Sequence, residues 1–238
     1  MSTISKPPVI VTSLNPDLKA ALAAATNGPV VVIVSGPSGA GKTVLIDAVL
    51  QSYGEYFGRV TTCTTRPPRK KEDDTMEVDG ADYYFLSKEQ FLEKRRQGLF
   101  LEHAQVHGGH FYGTYKTEIE RVLGQGKHVL LNIDVNGSMQ VLGASLNDIV
   151  LAKSLVRIFL APLKQSELVR RINKRKANSP EELADRVAKA RLEFLDSEIA
   201  SSHFISSTTH EHDVLMVECI ILTKLMERSR APEDVLES

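Results

Sequence analysis

The most constraining feature of this chain is a glycine-rich segment that directly follows a run of β-branched residues. Residues 36–43 read Gly-Pro-Ser-Gly-Ala-Gly-Lys-Thr, and the run before them is Val30 to Val34. Every fixed position of the P-loop pattern G-x-x-x-x-G-K-[ST] is filled, and helix-forming residues follow. The sequence therefore predicts a buried strand, a phosphate-binding turn and a helix, in that order.

The residue types of this turn suit the phosphates of a nucleoside triphosphate. Glycines let backbone N–H groups point at the β-phosphate, Lys42 adds a positive charge, and the Thr43 hydroxyl can bind a magnesium ion that bridges two phosphates. The alternative is a plain glycine-rich turn between a strand and a helix, which does not require all the fixed positions. The residues expected to bind ATP are Ser38, Gly39, Ala40, Gly41, Lys42 and Thr43.

Composition limits the classes of partner. The chain has 238 residues, 42% of them hydrophobic, and a formal net charge of -1. A near-neutral protein has no overall positive field for a polyanion, so we expect no nucleic-acid partner. Cys63 and Cys219 lie far apart, which argues against a disulfide framework or a zinc site and favours the cytoplasm. No apolar stretch reaches the roughly 18 to 20 residues of a membrane span, so we expect no membrane partner.

Hydrophobic patterning predicts an α/β fold. The apolar runs Val30 to Val34, Val129 to Ile133 and Val156 to Leu160 lack clean alternation, as strands covered on both faces should. Helices are expected between these runs and on either side of them. They are predicted after the P-loop, from the capping box Ser87–Gln90, over residues 114–123, from Ser179-Pro-Glu-Glu182, and over residues 17–25 near the start of the chain. The pattern is typical of a P-loop NTPase-type three-layer core with a parallel central sheet.

Two segments interrupt this regular alternation. Residues 61–114 are rich in Thr, Arg, Pro, Gly and Tyr and are interpreted as an inserted lobe. Residues 163–186 are the most basic region and are interpreted as a helical lid. The predicted division is an N-terminal extension (1–28), a P-loop core (29–60, 115–162 and 187–230), the inserted lobe, the lid and a C-terminal tail (231–238).

Four further motifs follow one another along the chain. They are Thr62-Cys-Thr-Thr-Arg66-Pro-Pro-Arg69, Val78-Asp-Gly-Ala-Asp-Tyr83-Tyr-Phe85, Leu101-Glu102-His-Ala and Phe111-Tyr112-Gly113-Thr114. With the P-loop, they closely resemble guanylate kinase in content and order, over about residues 30 to 200. The resemblance implies ATP-dependent phosphorylation of GMP, and of dGMP, to GDP. It implies that GMP is bound by Thr62, Arg66, Arg69, Tyr83, Glu102, Tyr112 and Thr114.

The chemistry of these residue types agrees with such a pocket. Two arginines three positions apart, Arg66 and Arg69, can converge on one phosphate, although a solvated basic turn is the alternative. A carboxylate such as Glu102 suits the adjacent N1–H and N2–H donors of guanine, and the Thr62 and Thr114 hydroxyls suit its O6 acceptor. Adenine presents the wrong pattern of donors and acceptors there.

The basic segment supplies candidates for the transferring phosphoryl group. Arg171 and Arg175 are one helical turn apart, and Arg186 follows; they resemble the arginines that guanylate kinases bring over this group. A nucleic-acid patch or a solvated helix face is the alternative, and we expect Arg170 to be solvated. The residues expected to act in catalysis are Lys42, Arg171, Arg175 and Arg186.

A magnesium site is expected where the second apolar run ends. Asp134 occupies the position at which P-loop proteins often place a carboxylate near the metal, and Thr43 is the second expected ligand. The alternative for Asp134 is a cap at the end of the strand. The chain departs from the family pattern at Asn132, where a carboxylate is usual. The expected partners are the small substrates ATP and GMP, with the protein a monomer or a homodimer.

The sequence leaves two other functions open. Guanylate-kinase-like domains also occur as non-catalytic peptide-binding modules, against which the intact Gly41-Lys42-Thr43 and the lid arginines argue. A P-loop kinase for another nucleotide or a sugar phosphate would lack the pocket of Arg66, Arg69, Tyr83 and Glu102.

Overall fold

The centre of the molecule is a five-stranded parallel sheet. The computed structural model describes residues 16–24, 28–71, 74–106, 109–162, 164–174, 184, 187–192 and 203–230. The strand order is β2 (Phe57–Arg59), β7 (His128–Asn132), β1 (Val31–Ser35), β8 (Leu155–Pro162) and β9 (His203–Ser207). Each neighbouring pair runs parallel. The expected α/β fold with a parallel central sheet is confirmed.

Helices cover both faces of this sheet. In chain order, the helices named in the described residues are α1 (Pro16–Ala23), α2 (Lys42–Tyr53), α3 (Lys88–Arg96), α4 (Lys116–Gly124), α5 (Val135–Ser145), α6 (Ile149–Ser154), α7 (Gln165–Lys174) and α8 (His210–Arg230). Of these, α3 packs on a second, smaller sheet and not on the central one. One apolar cluster joins Val32 and Val34 of β1 to α2 and α8. A second joins Val31 and Ile33 to α4 and α5. Successive side chains of a strand point to opposite faces, so a strand buried on both faces is apolar throughout.

A smaller sheet lies within residues 63–115. Its order is β4 (Tyr84–Phe85), β3 (Cys63–Thr64), β6 (Phe111–Tyr115) and β5 (Phe100–Gln105). Strands β3 and β6, and β5 and β6, are antiparallel. Its apolar face packs on α3 through Phe91, whose ring stacks on Phe100 with centroids 4.5 Å apart. This sheet and the edge of the core enclose the site described below.

A buried carboxylate joins the two sheets. Glu118 of α4 accepts hydrogen bonds from the Tyr84 hydroxyl (3.0 Å) and the Thr61 backbone N–H (3.1 Å), and Arg121 pairs with it at 2.9 Å. A buried charge must be paired or hydrogen-bonded to be tolerated, and these donors meet that need. The start of the inserted segment is thereby fixed to the core helix.

Several local predictions are confirmed. The three apolar runs form β1, β7 and β8, and helix α3 begins at a complete capping box of Ser87 and Gln90. Strands β2 and β9 and helices α5, α6 and α8 were not predicted. The predicted helix start at Ser179, the arginines Arg175 and Arg186, and residues 1–15 and 231–238 lie outside the described residues. Within the described part of the chain, no helix is long and apolar enough to cross a membrane.

Candidate active site

The P-loop has the backbone geometry that its sequence predicts. Gly36 and Gly41 adopt positive φ angles of 135° and 102°. A Cβ atom on Gly36 would lie 2.1 Å from the Leu160 carbonyl oxygen, so only glycine fits there. The Lys42 ammonium donates to the carbonyl oxygens of Gly36 and Pro37. Helix α2 begins at Lys42, which places its N-terminus against the turn.

One cavity of about 270 Å³ adjoins this turn. It brings together most residues predicted for the two ligand sites. From the P-loop, the lining includes Gly36 and Ser38 to Thr43, and from the smaller sheet and its edges it includes Thr62, Tyr83, Glu102 and Tyr112. The C-terminal end of β7 and the helical piece 187–192 add Asn132, Asp134 and Lys189. Residues far apart in sequence therefore share one cleft.

Glu102 is the most buried carboxylate of the cleft, with 4% of its surface exposed. Burial is the main cause that raises the pKa of its carboxyl group to about 7; a hydrogen bond from Thr114 lowers this pKa and the negative charge of Asp134 adds to the rise, both within that net value. The Thr114 hydroxyl donates that bond to Oε1 at 2.5 Å. The second oxygen, Oε2, faces Gly137.

Helix α5 fixes the strand that carries Glu102. The Gln140 side-chain amide donates to the His103 carbonyl oxygen at 2.7 Å, and its oxygen accepts from the His103 N–H at 3.1 Å. A Cβ atom on Gly137 would lie 2.6 Å from Oε2 of Glu102. Gly137 thus permits a close approach of helix α5 to strand β5, and the hydrogen bonds of the Gln140 amide hold the two elements together.

Arg66 is held by Glu77, an acid that no sequence motif indicates. Its guanidinium pairs in a bidentate way with Glu77, at 2.5 and 2.7 Å, and Nε donates to the Tyr112 hydroxyl at 3.0 Å. The group also lies over the Tyr83 ring, 4.8 Å from its centroid. Although burial raises the pKa of Glu77, hydrogen bonds from Arg66 and the Arg69 backbone lower it overall. Arg66 is 5% exposed and so is fixed before any ligand binds.

Two residues expected to bind GMP, Arg69 and Thr114, do not face the cavity. The Arg69 side chain is exposed, and it is its backbone N–H that donates to Glu77, at 2.8 Å. It therefore does not converge with Arg66 in the arrangement described. Thr114 has no exposed surface, and its hydroxyl is directed at Glu102. A group so buried positions the carboxylate and does not face the cavity.

The carboxylate of Asp134 is shared between two partners. Oδ1 accepts the Gly137 N–H at 2.8 Å as the N-cap of α5, so the alternative of a cap is realised. Oδ2 accepts from the Lys189 ammonium at 3.1 Å. Beside it, the Asn132 side-chain amide donates to the Thr43 hydroxyl at 3.3 Å. The two expected metal ligands thus lie at the same cleft.

Arg171 of α7, in the segment interpreted as a lid, lies against the P-loop. Its Nη1 is 3.4 Å from the Ala40 carbonyl oxygen, and Nε donates to Glu167 at 2.9 Å. Arg170 also pairs with Glu167 and is exposed, as expected of a solvated residue. Of the four expected catalytic residues, Lys42 and Arg171 are described and both adjoin this turn.

Three residues of the site were missed from the sequence: Glu77, Gln140 and Lys189. Glu77 sits at the end of a charged loop, eleven residues from its partner, so no local pattern pairs it with Arg66. Gln140 is a polar residue one helical turn after Asn136, and its only signal is that position. Lys189 lies in a helical piece, residues 187–192, that packs on α7 through Val187 and Ala190.

Comparison with known proteins agrees with this geometry. The sequence model of the family described as guanylate kinase matches residues 29–221. The guanylate kinase of Clostridium perfringens strain SM101 is 35% identical over 212 residues, which cover 89% of this chain and 91% of that relative. The guanylate kinase of Haemophilus influenzae is 42% identical over 159 residues, covering 66% of this chain and 71% of the relative.

A solved structure is similar as well. The crystal structure of guanylate kinase from Anaplasma phagocytophilum superposes with a TM-score of 0.63 at 27% identity, covering 84% of this chain and 87% of that one. The family match spans the P-loop, the smaller sheet and the lid region together. The chain described here belongs to the guanylate kinase family.

Proposed function

We propose that this protein transfers the γ-phosphoryl group of ATP to GMP, giving ADP and GDP. The observation that carries the proposal is the single cleft that joins a complete P-loop to the buried carboxylate Glu102 and the tyrosines Tyr83 and Tyr112. Donor and acceptor phosphates would meet within it. An acceptor phosphate oxygen forms the new bond to the γ-phosphorus as the bond from that phosphorus to the β–γ bridging oxygen breaks.

Glu102 would select guanine through its ionised form. A carboxylate can accept both the N1–H and the N2–H of guanine, and the Thr62 hydroxyl at the cavity wall can donate to O6. Adenine presents an acceptor at N1 and no amino group at C2, so the buried carboxylate would lose both donors. Leaving a buried polar group unpaired costs about 1 to 3 kcal/mol, more for a charged one.

Arg66 would bind the acceptor phosphate together with Tyr83 and Tyr112. Its guanidinium is already fixed by Glu77 and by the tyrosine ring beneath it. Preorganisation of this kind lowers the ordering cost of binding. The exposed Arg69 side chain would contribute only if it turns towards the cleft, and this movement is proposed to accompany binding of the acceptor.

Charge neutralisation would supply most of the catalysis. The second pKa of a phosphomonoester is about 6, so the acceptor is largely ionised at neutral pH and needs no strong general base. The difficulty is that two anions must approach each other. Lys42 and Arg171 lie at the P-loop to offset that charge, and Arg175 and Arg186 are proposed to join them when the lid closes.

Magnesium fits the residues at this cleft. Thr43 and Asp134 offer a hydroxyl and a carboxylate oxygen, the hard donors that Mg²⁺ prefers, and Mg²⁺ commonly uses only one or two protein ligands besides phosphates. Asp134 would contribute Oδ2 once Lys189 releases it, or would bind through water. When bound, the ion withdraws charge from the β- and γ-phosphates. We propose that Mg·ATP and GMP are the substrates of a cytoplasmic enzyme.

A coupled assay of ADP release tests the proposal. The protein is mixed with ATP and Mg²⁺, and GMP, dGMP, AMP, CMP and UMP are supplied in turn. GMP should give a kcat/KM at least about a hundredfold above that of AMP, as expected where a site hydrogen-bonds the correct base. Equal rates with GMP and AMP would show that the acceptor is assigned wrongly. ADP release without any monophosphate would indicate an ATPase instead.

A further inference from the structure

A buried carboxylate stands outside the cleft and has no role in the transfer described above. Asp213, in the first turn of α8, is 3% exposed. Oδ2 accepts the Ser207 hydroxyl at 2.7 Å, and Oδ1 accepts the Thr208 backbone N–H at 3.3 Å. Oδ1 also lies 3.5 Å from Nδ1 of His212. Burying a carboxylate is costly unless it is hydrogen-bonded, and the two hydrogen bonds from the end of β9 meet that need.

The Ser207 hydroxyl is therefore directed. It has one proton, and the 2.7 Å contact with Asp213 commits that proton to the carboxylate. Its oxygen can then only accept from its other neighbour, Nη1 of Arg171, at 3.3 Å. A hydroxyl free to rotate could turn its proton towards the guanidinium instead. Asp213 thus sets the polarity of the contact between Ser207 and Arg171.

Arg171 is consequently held from three sides. Glu167 accepts from Nε at 2.9 Å, and Nη1 is shared between the Ser207 hydroxyl and the Ala40 carbonyl oxygen of the P-loop. Glu167 lies on the same helix as Arg171 and moves with it, whereas Ser207 belongs to the central sheet. The contact with Ser207 therefore fixes the guanidinium relative to the P-loop, which Glu167 cannot do.

We propose that Ser207 and Asp213 are positioning residues for Arg171, holding its guanidinium beside the P-loop where the γ-phosphoryl group would leave ATP. The inference rests on the proposed function for its consequence in catalysis. Its physical reason is that the long, flexible side chain of an arginine has many rotamers and loses entropy when it is ordered. An arginine that is already fixed loses less freedom when the transition state forms.

Kinetics provide the first test, with Ser207→Ala as the main variant. We expect kcat to fall about tenfold and the KM for GMP to stay within about twofold, because the lost interaction acts through Arg171 in the transition state. In an Arg171→Ala background, Ser207→Ala should have no further effect, since the two residues act as one unit. An equal loss of kcat in both backgrounds, or a kcat within about twofold of the parent, overturns the inference.

Asp213→Asn tests the directing carboxylate. The amide can offer only one acceptor oxygen to two donors, so Ser207 or the Thr208 N–H loses its partner. We expect a fall in kcat similar to that of Ser207→Ala. Glu218→Gln is the matched control, because Glu218 lies buried on the same helix and accepts from the Tyr53 hydroxyl, away from Arg171. At similar thermal stability, a larger fall in kcat in Asp213→Asn than in Glu218→Gln supports the assignment, and an equal or smaller fall contradicts it.

NMR of the arginine Nε–H groups decides the matter without any turnover. The Arg171 signal is assigned by its loss in Arg171→Lys, and its order parameter is measured in the ligand-free protein. We expect a value near that of rigid backbone, about 0.85, and a fall below about 0.6 in Ser207→Ala. An unchanged value defeats the positioning role. A wild-type protein that fails to phosphorylate GMP would instead refute the proposed function, and this measurement would still stand.

Discussion

Glu102 and Thr114 face each other across strands β5 and β6, and the threonine hydroxyl donates to Oε1 of the buried carboxyl group at 2.5 Å. One oxygen of Glu102 is thus occupied by the protein, and the other lies against Gly137. The carboxyl group therefore enters the cleft with a fixed orientation. Its protonation and its selectivity for the base are two consequences of the same burial.

Glu102→Gln should lower the preference for guanine more than it lowers turnover with saturating GMP. The amide keeps one acceptor oxygen but presents an N–H₂ group to a guanine donor. We expect the ratio of kcat/KM for GMP over that for AMP to fall about a hundredfold or more. The site rejects AMP because adenine leaves the carboxylate without its two donors, and this penalty is lost when the carboxylate is replaced. The ratio is measured in the ADP-release assay. An unchanged ratio would mean that Glu102 does not contact the base.

The pH dependence of GMP binding provides a check on the same group. Only ionised Glu102 can accept both guanine donors, and the pKa of its carboxyl group is about 7. Lowering the pH from about 8 to 6 should therefore raise the KM for GMP about tenfold. The acceptor phosphate titrates near 6 as well. Glu102→Gln is the control, because its pH profile retains only the phosphate contribution; a wild-type profile that matches it contradicts this prediction.

The same carboxyl group should make the protein less stable at higher pH. Its pKa is raised in the folded protein from 4.5 to about 7, so the folded state holds the proton more tightly than the unfolded chain. The free energy of unfolding therefore loses this contribution as the pH rises from about 4.5 to 7, at a cost on the order of 3 kcal/mol. Glu102→Gln should raise the Tm at pH 8 and change it little near pH 4.5. An equal shift of Tm at both pH values would contradict this explanation.

The sequence predicted those parts of the molecule that depend on local pattern. The β-branched runs became β1, β7 and β8, and Ser87 and Gln90 formed the capping box, because such signals lie within a few residues. The pairing of Arg66 with Glu77, and that of Thr114 with Glu102, depends on how strands and loops meet. Only the motif order indicated that Glu102 belongs to a site, since a single glutamate in a sequence is most often a surface residue.

Glu77→Gln should weaken acceptor binding through Arg66. The guanidinium is 5% exposed and would be left buried without its ionic partner, at a cost of about 1 to 3 kcal/mol in stability. We expect the KM for GMP to rise about tenfold and the KM for ATP to change less than about twofold. Asp74→Asn is the control from the same loop, because Asp74 pairs with Lys70 and its side chain is 84% exposed. Equal effects of the two changes would refute the assigned role of Glu77.

Lys189→Met should strengthen metal binding at Asp134. The Lys189 ammonium occupies Oδ2 at 3.1 Å, so a cation that needs this oxygen must displace it. We expect the affinity for Mn²⁺, measured by electron paramagnetic resonance with a non-hydrolysable ATP analogue, to rise by a few-fold. Asp134→Asn in the same background should remove the gain, and Arg191→Met, exposed on the same helical piece, should leave the affinity unchanged. No gain in Lys189→Met would show that Asp134 does not bind the metal directly.

Gly137→Ala should damage the acceptor pocket through the approach of α5 to β5. The added Cβ atom would lie 2.6 Å from Oε2 of Glu102 and 3.3 Å from Cβ of Ile133. Ile133 is part of the rigid core, so the carboxyl group must move, and overpacking of this kind costs about 1 to 3 kcal/mol. We expect a lower Tm and a KM for GMP raised about tenfold or more, with the KM for ATP within about twofold. Gly143→Ala in the same helix meets no atom of the described residues within 4 Å and should instead stabilise the protein by about 0.5 to 1 kcal/mol. If both substitutions raise the Tm and leave the KM for GMP unchanged, then Gly137 is not needed for the placement of Glu102. The carboxyl group would in that case have room to shift and still hydrogen-bond to guanine.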